Sequence, residues 1–299
     1  MNIVIGVDAG GTKTSAAAYD EAGREVARCK SGPGNFSTDA ALAAHNVAEA
    51  LDGCRRACSG RCRGILIGAA GMRGYDGKER LVRKLEARFS CPVVPTDDGA
   101  LALYAALGAE DGVLVISGTG SIAYGRCGEK LQSRGGWGHL LDDRGSGYEI
   151  AIRAFRLMTE DYDDGRDLSP LSAALLEWSG VSRVKEIAAF LQRISKREIA
   201  AAVPAIERMA LSGDTAAMRL LNDAGERLTE IALPLIRSMG LEKPRVAVSG
   251  SVLLKSSPVA DAFWKRISMD YAEYTRVRFD GAPEIGAYYW FRSARQRND

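Results

Sequence analysis

The sequence predicts an α/β protein built as two lobes, and three observations carry that prediction. At 299 residues the chain is too long for one small domain and long enough for two that share a cleft. Its N-terminal part reads as three strands followed by alternating helix and strand, the order that layered α/β architectures require. A strand that ends in glycines and hydroxyls, met first near residue 8, returns near residue 117, as an internal duplication would give.

The elements follow in order. Residues 3–8, 15–20 and 24–30 read as a meander of three strands, with DEAGRE as the turn between the second and third. A helix from about 38 to 57 comes next, then GILIGAAG (64–71) as a buried strand and KERLVRKLEARF (78–89) as an amphipathic helix. PVVPTDD (92–98) is a further strand and ALALYAAL (100–107) a helix. The theme restarts with GVLVISGTG (112–120) and SIAYGRCGEKL (121–131). From 145 to 240 the pattern is mostly helical, with DYDDGRDLSP (161–170) as a loop and GERLTEIALPLIRSMG (225–240) as part of a long helix kinked or shifted near Pro234. VAVSGS (246–251) and RVRF (276–279) are strands, and PEIGAYYWFRSAR (283–295) opens a terminal helix with proline in its first turn. The lobes are therefore drawn as 1–108 with 283–299, and 109–282.

Composition narrows the function. Forty basic residues against thirty-eight acidic ones give no general pull toward nucleic acid or an anionic membrane. No apolar run approaches the length of a membrane span, and the chain begins as a strand without a basic leader, so a cytoplasmic protein is expected. Cys54, Cys58 and Cys62 form a C-x3-C-x3-C run that suggests an iron–sulfur site. The competing reading is an apolar helix stripe through Val47, Leu51, Cys54 and Cys58, in which cysteine acts as a small hydrophobe. That reading is favoured, because no fourth thiol is nearby. His45 and His139 are too far apart in sequence to start a zinc site.

Three strand ends share one chemistry. The first is DAGGTKT, Asp8 to Thr14, which is not a P-loop, since Thr12 stands where the Walker lysine would be counted from Gly6. The others are SGTGS, Ser117 to Ser121, and SGS, Ser249 to Ser251. Glycines bring backbone N–H groups close to an anion, and flanking hydroxyls donate to phosphate oxygens. One such turn means little, but three suit a nucleotide held between two lobes, with a hairpin from each lobe on the β- and γ-phosphates and the third turn near adenosine. Asp8 beside phosphates implies a magnesium ion between them, bound directly or through water, or else an Asp capping its own turn. In PTDDGA, one of Asp97 and Asp98 suits the carboxylate that orients and deprotonates an acceptor hydroxyl, while the other caps the following helix. In RGGWGHLLDDRGSGYEI, Trp137 between Gly136 and Gly138 offers a flat apolar face to a sugar ring, or else anchors its own loop. Asp142 and Asp143 could accept from sugar hydroxyls, and Gly147 begins a helix.

In this order the segments DAGGTKT, TDDGALAL, VISGTGSIAYGR, VAVSGSVLL and GAPEIGAYYW resemble the phosphate 1, connecting, phosphate 2, adenosine and second connecting segments of the sugar-kinase, Hsp70 and actin superfamily. Within it the chain resembles the N-acetylglucosamine kinase branch of the BadF/BadG/BcrA/BcrD ATPase family, on GGTKT, SGPGN, AAG, TDDG, SGTGS and GGWGHLLDDRGS. The resemblance implies two ribonuclease H-like, actin-like ATPase lobes with a nucleotide and sugar cleft between them. It implies ATP and Mg2+ as cofactors and an amino sugar as acceptor, in a role such as cell-wall recycling. It makes Asp97 the base and Asp8 the metal residue. Gly10, Gly11, Thr12, Lys13, Gly118, Thr119, Gly120 and Ser121 are then set at the phosphates, and Gly250 and Ser251 near adenosine. Asn35, Gly71, Asp97, Gly136, Trp137, Gly138 and Asp143 fall at the sugar. The partners expected are the amino sugar, ATP and a second copy of the chain as a homodimer, with no nucleic acid and no membrane. Where the family has L-G-D-E-G-S-G-Y-W, this chain has Leu141-Asp142-Asp143-Arg144-Gly145-Ser146-Gly147-Tyr148-Glu149, which leaves the choice among N-acetylglucosamine, glucosamine and N-acetylmuramic acid open. The cysteine cluster of the ROK kinases is absent. An ATPase that activates a partner enzyme, as dehydratase activators of the family do, is the alternative of another class.

Overall fold

Ten strands form two five-stranded sheets of the same order, one in each of two compact units, in a computed structural model that describes residues 1–108 and 110–296. The first unit is Met1–Asp111 with Gly281–Asp299, and the second is Gly112–Asp280.

In the first unit the strands are β1 (Asn2–Ala9), β2 (Thr14–Asp20), β3 (Glu25–Ser31), β4 (Arg61–Ala69) and β5 (Val93–Thr96), in the order β3-β2-β1-β4-β5. β1 and β2 are antiparallel, as are β2 and β3, while β4 lies parallel to β1 and β5 parallel to β4. The helices are α1 (Ala40–Ala57), α2 (Lys78–Phe89), α3 (Asp98–Leu107) and α12 (Gly286–Gln296). Alternation along β1 decides which helices cover which face. Ile3, Ile5 and Val7 pack with Val47, Leu51 and Cys54 of α1 and Leu81 and Leu85 of α2. Val4 points the other way, into a cluster with Tyr288 and Phe291 of α12, and Leu66 of β4 joins Leu101 of α3 and Ala287 there. Asp39 starts α1 by accepting the Leu42 N–H at 2.9 Å.

The second unit repeats the plan. Its strands are β6 (Gly112–Ser117), β7 (Ser121–Cys127), β8 (Lys130–Gly135), β9 (Arg245–Ser249) and β10 (Thr275–Arg278), ordered β8-β7-β6-β9-β10 with the same parallel and antiparallel pairings. The matching order is the structural form of the duplication. Between β8 and β9 run α4 (Gly147–Asp163), α5 (Pro170–Ser179), α6 (Ile187–Leu191), α7 (Lys196–Ala200), α8 (Val203–Leu211) and α9 (Thr215–Ser238). α10 (Ser251–Lys255) and α11 (Ser257–Asp270) lie between β9 and β10. A single apolar core joins Val113 and Val115 of β6 to Phe155 of α4, Leu228 and Ile236 of α9 and Phe263 of α11.

Cys62 lies on β4, beyond the end of α1, and its sulfur is 3.3 Å from that of Cys91. Three local expectations are corrected. The segment 121–131 is two strands, because Gly128 takes a left-handed turn between them. α4 runs to Asp163, so the loop expected over 161–170 begins three residues later than the sequence suggests. Pro283 opens a short 3₁₀ turn, Pro283–Ile285, ahead of α12. Pro234 sits inside α9 as the sequence indicates. Among the described residues no helix is long and apolar enough to cross a membrane.

Candidate active site

Because β2 alone runs against its neighbours, β1, β3, β4 and β5 all end on one edge of the first sheet. That carboxyl edge is where open α/β sheets bind ligands. It gathers DAGGTKT after β1, GPGN after β3, the turn at Gly71 after β4 and the Asp pair after β5. Backbone bonds lace these loops together. Gly34 N–H donates to Gly10 C=O at 2.8 Å, Ala70 N–H to Ala9 C=O at 2.9 Å, and Phe36 N–H to Ala70 C=O at 2.8 Å. The hairpin closes with Gly10 N–H on Lys13 C=O at 3.0 Å, and Gly11, Thr12 and Lys13 are exposed at its tip. Gly10 and Gly11 are not left-handed, and a Cβ on Gly11 would meet nothing within 4 Å. Their own fold does not need them to be glycine. The bare backbone leaves room for a ligand to approach closely.

Asp8 belongs to β1 rather than to the turn, opposite Ser15 of β2, and its carboxylate accepts no hydrogen bond among the described residues. It is therefore not a turn cap. Burial, with the negative charges of Glu284 and Asp98 behind it, pushes its pKa up to about 6 against the weaker pull of Lys13 and Arg28. Glu284 is itself buried, with Arg28 Nη1 donating to it at 2.5 Å.

Asp97 holds the N-cap position of α3 in extended backbone, yet its side chain caps nothing. It accepts instead from Arg73 Nη2 at 2.6 Å. Asp98 takes the local bond, from Gly99 N–H at 2.8 Å, and burial raises its pKa. The residue expected to cap the helix therefore lies inside its first turn, while Asp97 occupies the cap position without making the cap bond. Asn35 Oδ1 accepts from Ser37 N–H at 2.9 Å, which orders the GPGN loop. Gly71 has φ +76°, and a Cβ there would lie 2.2 Å from Ser37 Oγ, so only glycine fits.

The second unit has the corresponding edge, with SGTGS after β6, the tryptophan loop after β8 and SGS after β9. Here the hairpin is braced. Ser121 N–H donates to Asp143 Oδ1 at 3.1 Å, Ser121 Oγ to Arg144 C=O at 2.8 Å, and Ser117 Oγ to Gly145 C=O at 2.8 Å. Gly147 N–H, at the start of α4, donates to Gly118 C=O at 2.8 Å, and Tyr148 N–H reaches Thr119 C=O at 3.3 Å. Asp143 is 3 % exposed, sits at φ +66° and is ion-paired with Lys196 of α7. A Cβ on Gly120 would press on Asp143 Oδ1 at 2.8 Å, and one on Gly250 would strike Ser117 C=O at 2.3 Å. Ser251, the first residue of α10, is exposed beside that turn.

The tryptophan loop is not anchored by its tryptophan. Trp137 is 76 % exposed, between Gly136 and Gly138, both left-handed, and it is His139 that packs edge-on against Tyr148 at 4.9 Å. Asp143, expected to face the sugar, is turned onto the hairpin and Lys196. The departures beside it are also bound internally. Arg144 joins Asp142 at 2.9 Å and Glu230 at 2.9 Å, while Glu149 pairs with Arg227 at 2.7 Å.

Four charged residues of these edges were not legible beforehand: Arg73, Glu284, Lys196 and Arg28. Their partners lie 24, 256, 53 and 256 residues away in sequence. The one usable signal was a carboxylate, Glu284, in an otherwise apolar turn that opens the terminal helix.

The model of the BadF/BadG/BcrA/BcrD ATPase family matches residues 5–290. A Clostridium acetobutylicum protein named N-acetylmuramic acid/N-acetylglucosamine kinase is 26% identical over 305 residues, covering 98% of this chain and 99% of that protein. An N-acetyl-D-glucosamine kinase of Dictyostelium discoideum is 29% identical, over 95% of this chain and 96% of its own. The solved structure of a proposed N-acetylglucosamine kinase from Chromobacterium violaceum has the same fold, with a TM-score of 0.73 at 24% identity over 96% of this chain and 97% of that one.

Proposed function

The chain belongs to the BadF/BadG/BcrA/BcrD ATPase family, and from that premise we propose that it is an ATP-dependent amino-sugar kinase acting on the 6-hydroxyl of N-acetylglucosamine or a close relative. The observation that carries the reading is Asp97. It stands at the carboxyl edge of the first sheet, in a capping position, with its carboxylate turned away from the cap it could have made. Relatives that span nearly the whole chain are named as kinases of amino sugars, two of them of acetylated ones and one of glucosamine, which supports the acceptor class.

Phosphoryl transfer asks the protein mainly for positioning and for charge neutralisation. Asp97 takes the proton of the acceptor hydroxyl while that oxygen forms its bond to the γ-phosphorus. The bond from this phosphorus to the β,γ-bridging oxygen breaks, and ADP leaves. Gly10, Gly11, Thr12 and Lys13 on one hairpin, and Gly118, Thr119, Gly120 and Ser121 on the other, hold the phosphates. Gly250 and Ser251 serve the adenosine. Asn35, Gly71, Trp137 and its flanking glycines receive the sugar, and Asp143 acts through the hairpin that it braces.

Asp8 fits a magnesium ion that arrives with the nucleotide. Its carboxylate is largely buried, carries no hydrogen bond among the described residues and stands near two further acidic groups, a local excess of negative charge that a cation offsets. Among the described residues no group of three metal-ligating side chains forms, so the ion would be held chiefly by phosphate oxygens and water. When bound, it supplies neutralisation of charge on the transferring phosphoryl group.

Glucosamine and N-acetylmuramic acid are the acceptors to compare with N-acetylglucosamine. The partner-activating ATPase is disfavoured by Cys54 and Cys62, which are packed into the core of the first unit instead of forming a cluster site. The deciding assay presents glucose, glucosamine, N-acetylglucosamine, N-acetylmannosamine and N-acetylmuramic acid with ATP and Mg2+, and ranks kcat/KM. An acetylated amino sugar should lead. Equal or absent turnover across the panel would refute the reading.

A further inference from the structure

We propose that Arg73 is a positioning residue for phosphoryl transfer, holding the Asp97 carboxylate toward the acceptor and off the helix that it begins. The inference rests on the kinase reading above and adds a residue that no sequence motif marks.

An exposed ion pair contributes little to stability, usually below about 1 kcal/mol, so Arg73 on a mobile loop would mean nothing. Its backbone is instead fixed on both sides. Gly71, in the left-handed conformation and with no room for a Cβ beside Ser37, turns the chain out of β4. Met72 is 1 % exposed in the core of the first unit and pins the turn from below. Tyr75 N–H donates to Met72 C=O at 3.3 Å, and the Tyr75 ring lies 4.9 Å from that of Phe36. Phe36 in turn bonds Ala70 C=O and follows Asn35, so the same short span ties the GPGN loop to the turn that carries Arg73.

What Arg73 reaches is equally specific. An Asp at an N-cap ordinarily accepts from an N–H two or three positions into the helix, and that bond would direct the Asp97 carboxylate down onto α3. Asp98 accepts from Gly99 N–H instead, and Arg73 Nη2 takes Asp97 Oδ2 at 2.6 Å, with the Asp97 side chain still 18 % exposed. One carboxylate oxygen is held and the group stays accessible. A base must lie within hydrogen-bond reach of the proton it takes, and displacement by about 1 Å can cost on the order of 100-fold in rate.

Kinetics of Arg73→Ala and Arg73→Lys with ATP, Mg2+ and the preferred amino sugar test this, with sugar affinity measured separately by calorimetry. Arg73→Ala should lose about 10- to 100-fold in kcat, with KM for ATP and the sugar dissociation constant within about threefold of wild type, as loss of an interaction that matters only in the transition state requires. Arg73→Lys should recover much of the rate, which a purely structural loss would not predict. A wild-type kcat in Arg73→Ala, or a loss confined to sugar affinity, overturns the assignment. A wild-type chain that phosphorylates none of the sugars overturns the kinase reading and this inference with it, whereas an active wild type beside an unimpaired Arg73→Ala overturns this inference alone.

Discussion

The two glycine hairpins occupy the same place in two sheets of the same strand order, yet they are built on opposite principles. DAGGTKT leaves its tip exposed and its glycines unconstrained, above a partly buried carboxylate. SGTGS has no carboxylate on its strand and is clamped by the Asp143–Lys196 pair, by Ser121 and Ser117, and by the first N–H groups of α4. The difference teaches how a duplicated unit divides its work. On the proposed reading one copy carries the charged chemistry, at Asp8 and Asp97, while the other serves as a rigid grip whose own polar groups are largely spent on holding it still.

The comparison breaks most directly at Asp97. Replacing it with Asn should lower kcat by about 1,000-fold, the scale of a lost general base, with the sugar still binding by calorimetry. Turnover near wild type in a coupled ADP-release assay would remove the base from the first unit and with it half of the contrast.

Next in size is the brace of the second hairpin. Asp143→Ala leaves Lys196 without its partner and Ser121 N–H without its acceptor. A loss of about 3 kcal/mol is expected in urea denaturation, in the range for breaking a buried pair, together with a higher KM for ATP. A variant of unchanged stability would mean that the hairpin is held by its backbone bonds alone.

Asp8 sharpens the contrast through pH. Its folded pKa of about 6 lies above the ordinary 3.8, so between those values the folded chain binds the additional proton. That contribution to stability is fully present below about pH 4 and is lost as pH rises through 6. Asp8→Asn should therefore be the more stable protein at pH 7 by about 2–3 kcal/mol, with the difference shrinking by pH 4, even as its Mg2+-dependent turnover falls. Parallel denaturation curves for the two proteins across that range would contradict the burial argument.

The smallest effect separates the glycines. Gly11→Ala should leave stability within about 0.5 kcal/mol and raise KM for ATP about tenfold, because only an approaching ligand requires its missing side chain. Gly120→Ala, which presses on Asp143, should destabilise the protein by about 1–3 kcal/mol. If both variants behave alike in thermal unfolding, the two tips do not differ as described.

Much of this was readable in advance where the signal is local. The helix at 78–89 agrees with α2 in both bounds, because its apolar residues recur at helical spacing, and the strand-glycine-hydroxyl runs fixed both hairpins. Helix-start chemistry singled out the Asp97 and Asp98 pair, and the structure shows Asp98 as the local acceptor of the Gly99 N–H. What sequence could not reveal was long-range pairing. Asp143 looks like a hydroxyl acceptor in GHLLDDRG, but Lys196 lies 53 residues on, behind three further helices. Arg144 and Glu149 looked like changes in a sugar pocket, and their partners Glu230 and Arg227 come from α9.

The central claim, that the first unit directs the γ-phosphoryl group onto a sugar and not onto water, is tested most directly by the product. Phosphorus NMR of a reaction holding ATP, Mg2+ and N-acetylglucosamine should show ADP and a sugar 6-phosphate formed in equal amounts, with little inorganic phosphate. ADP accompanied by inorganic phosphate alone, with the sugar unchanged, would contradict it.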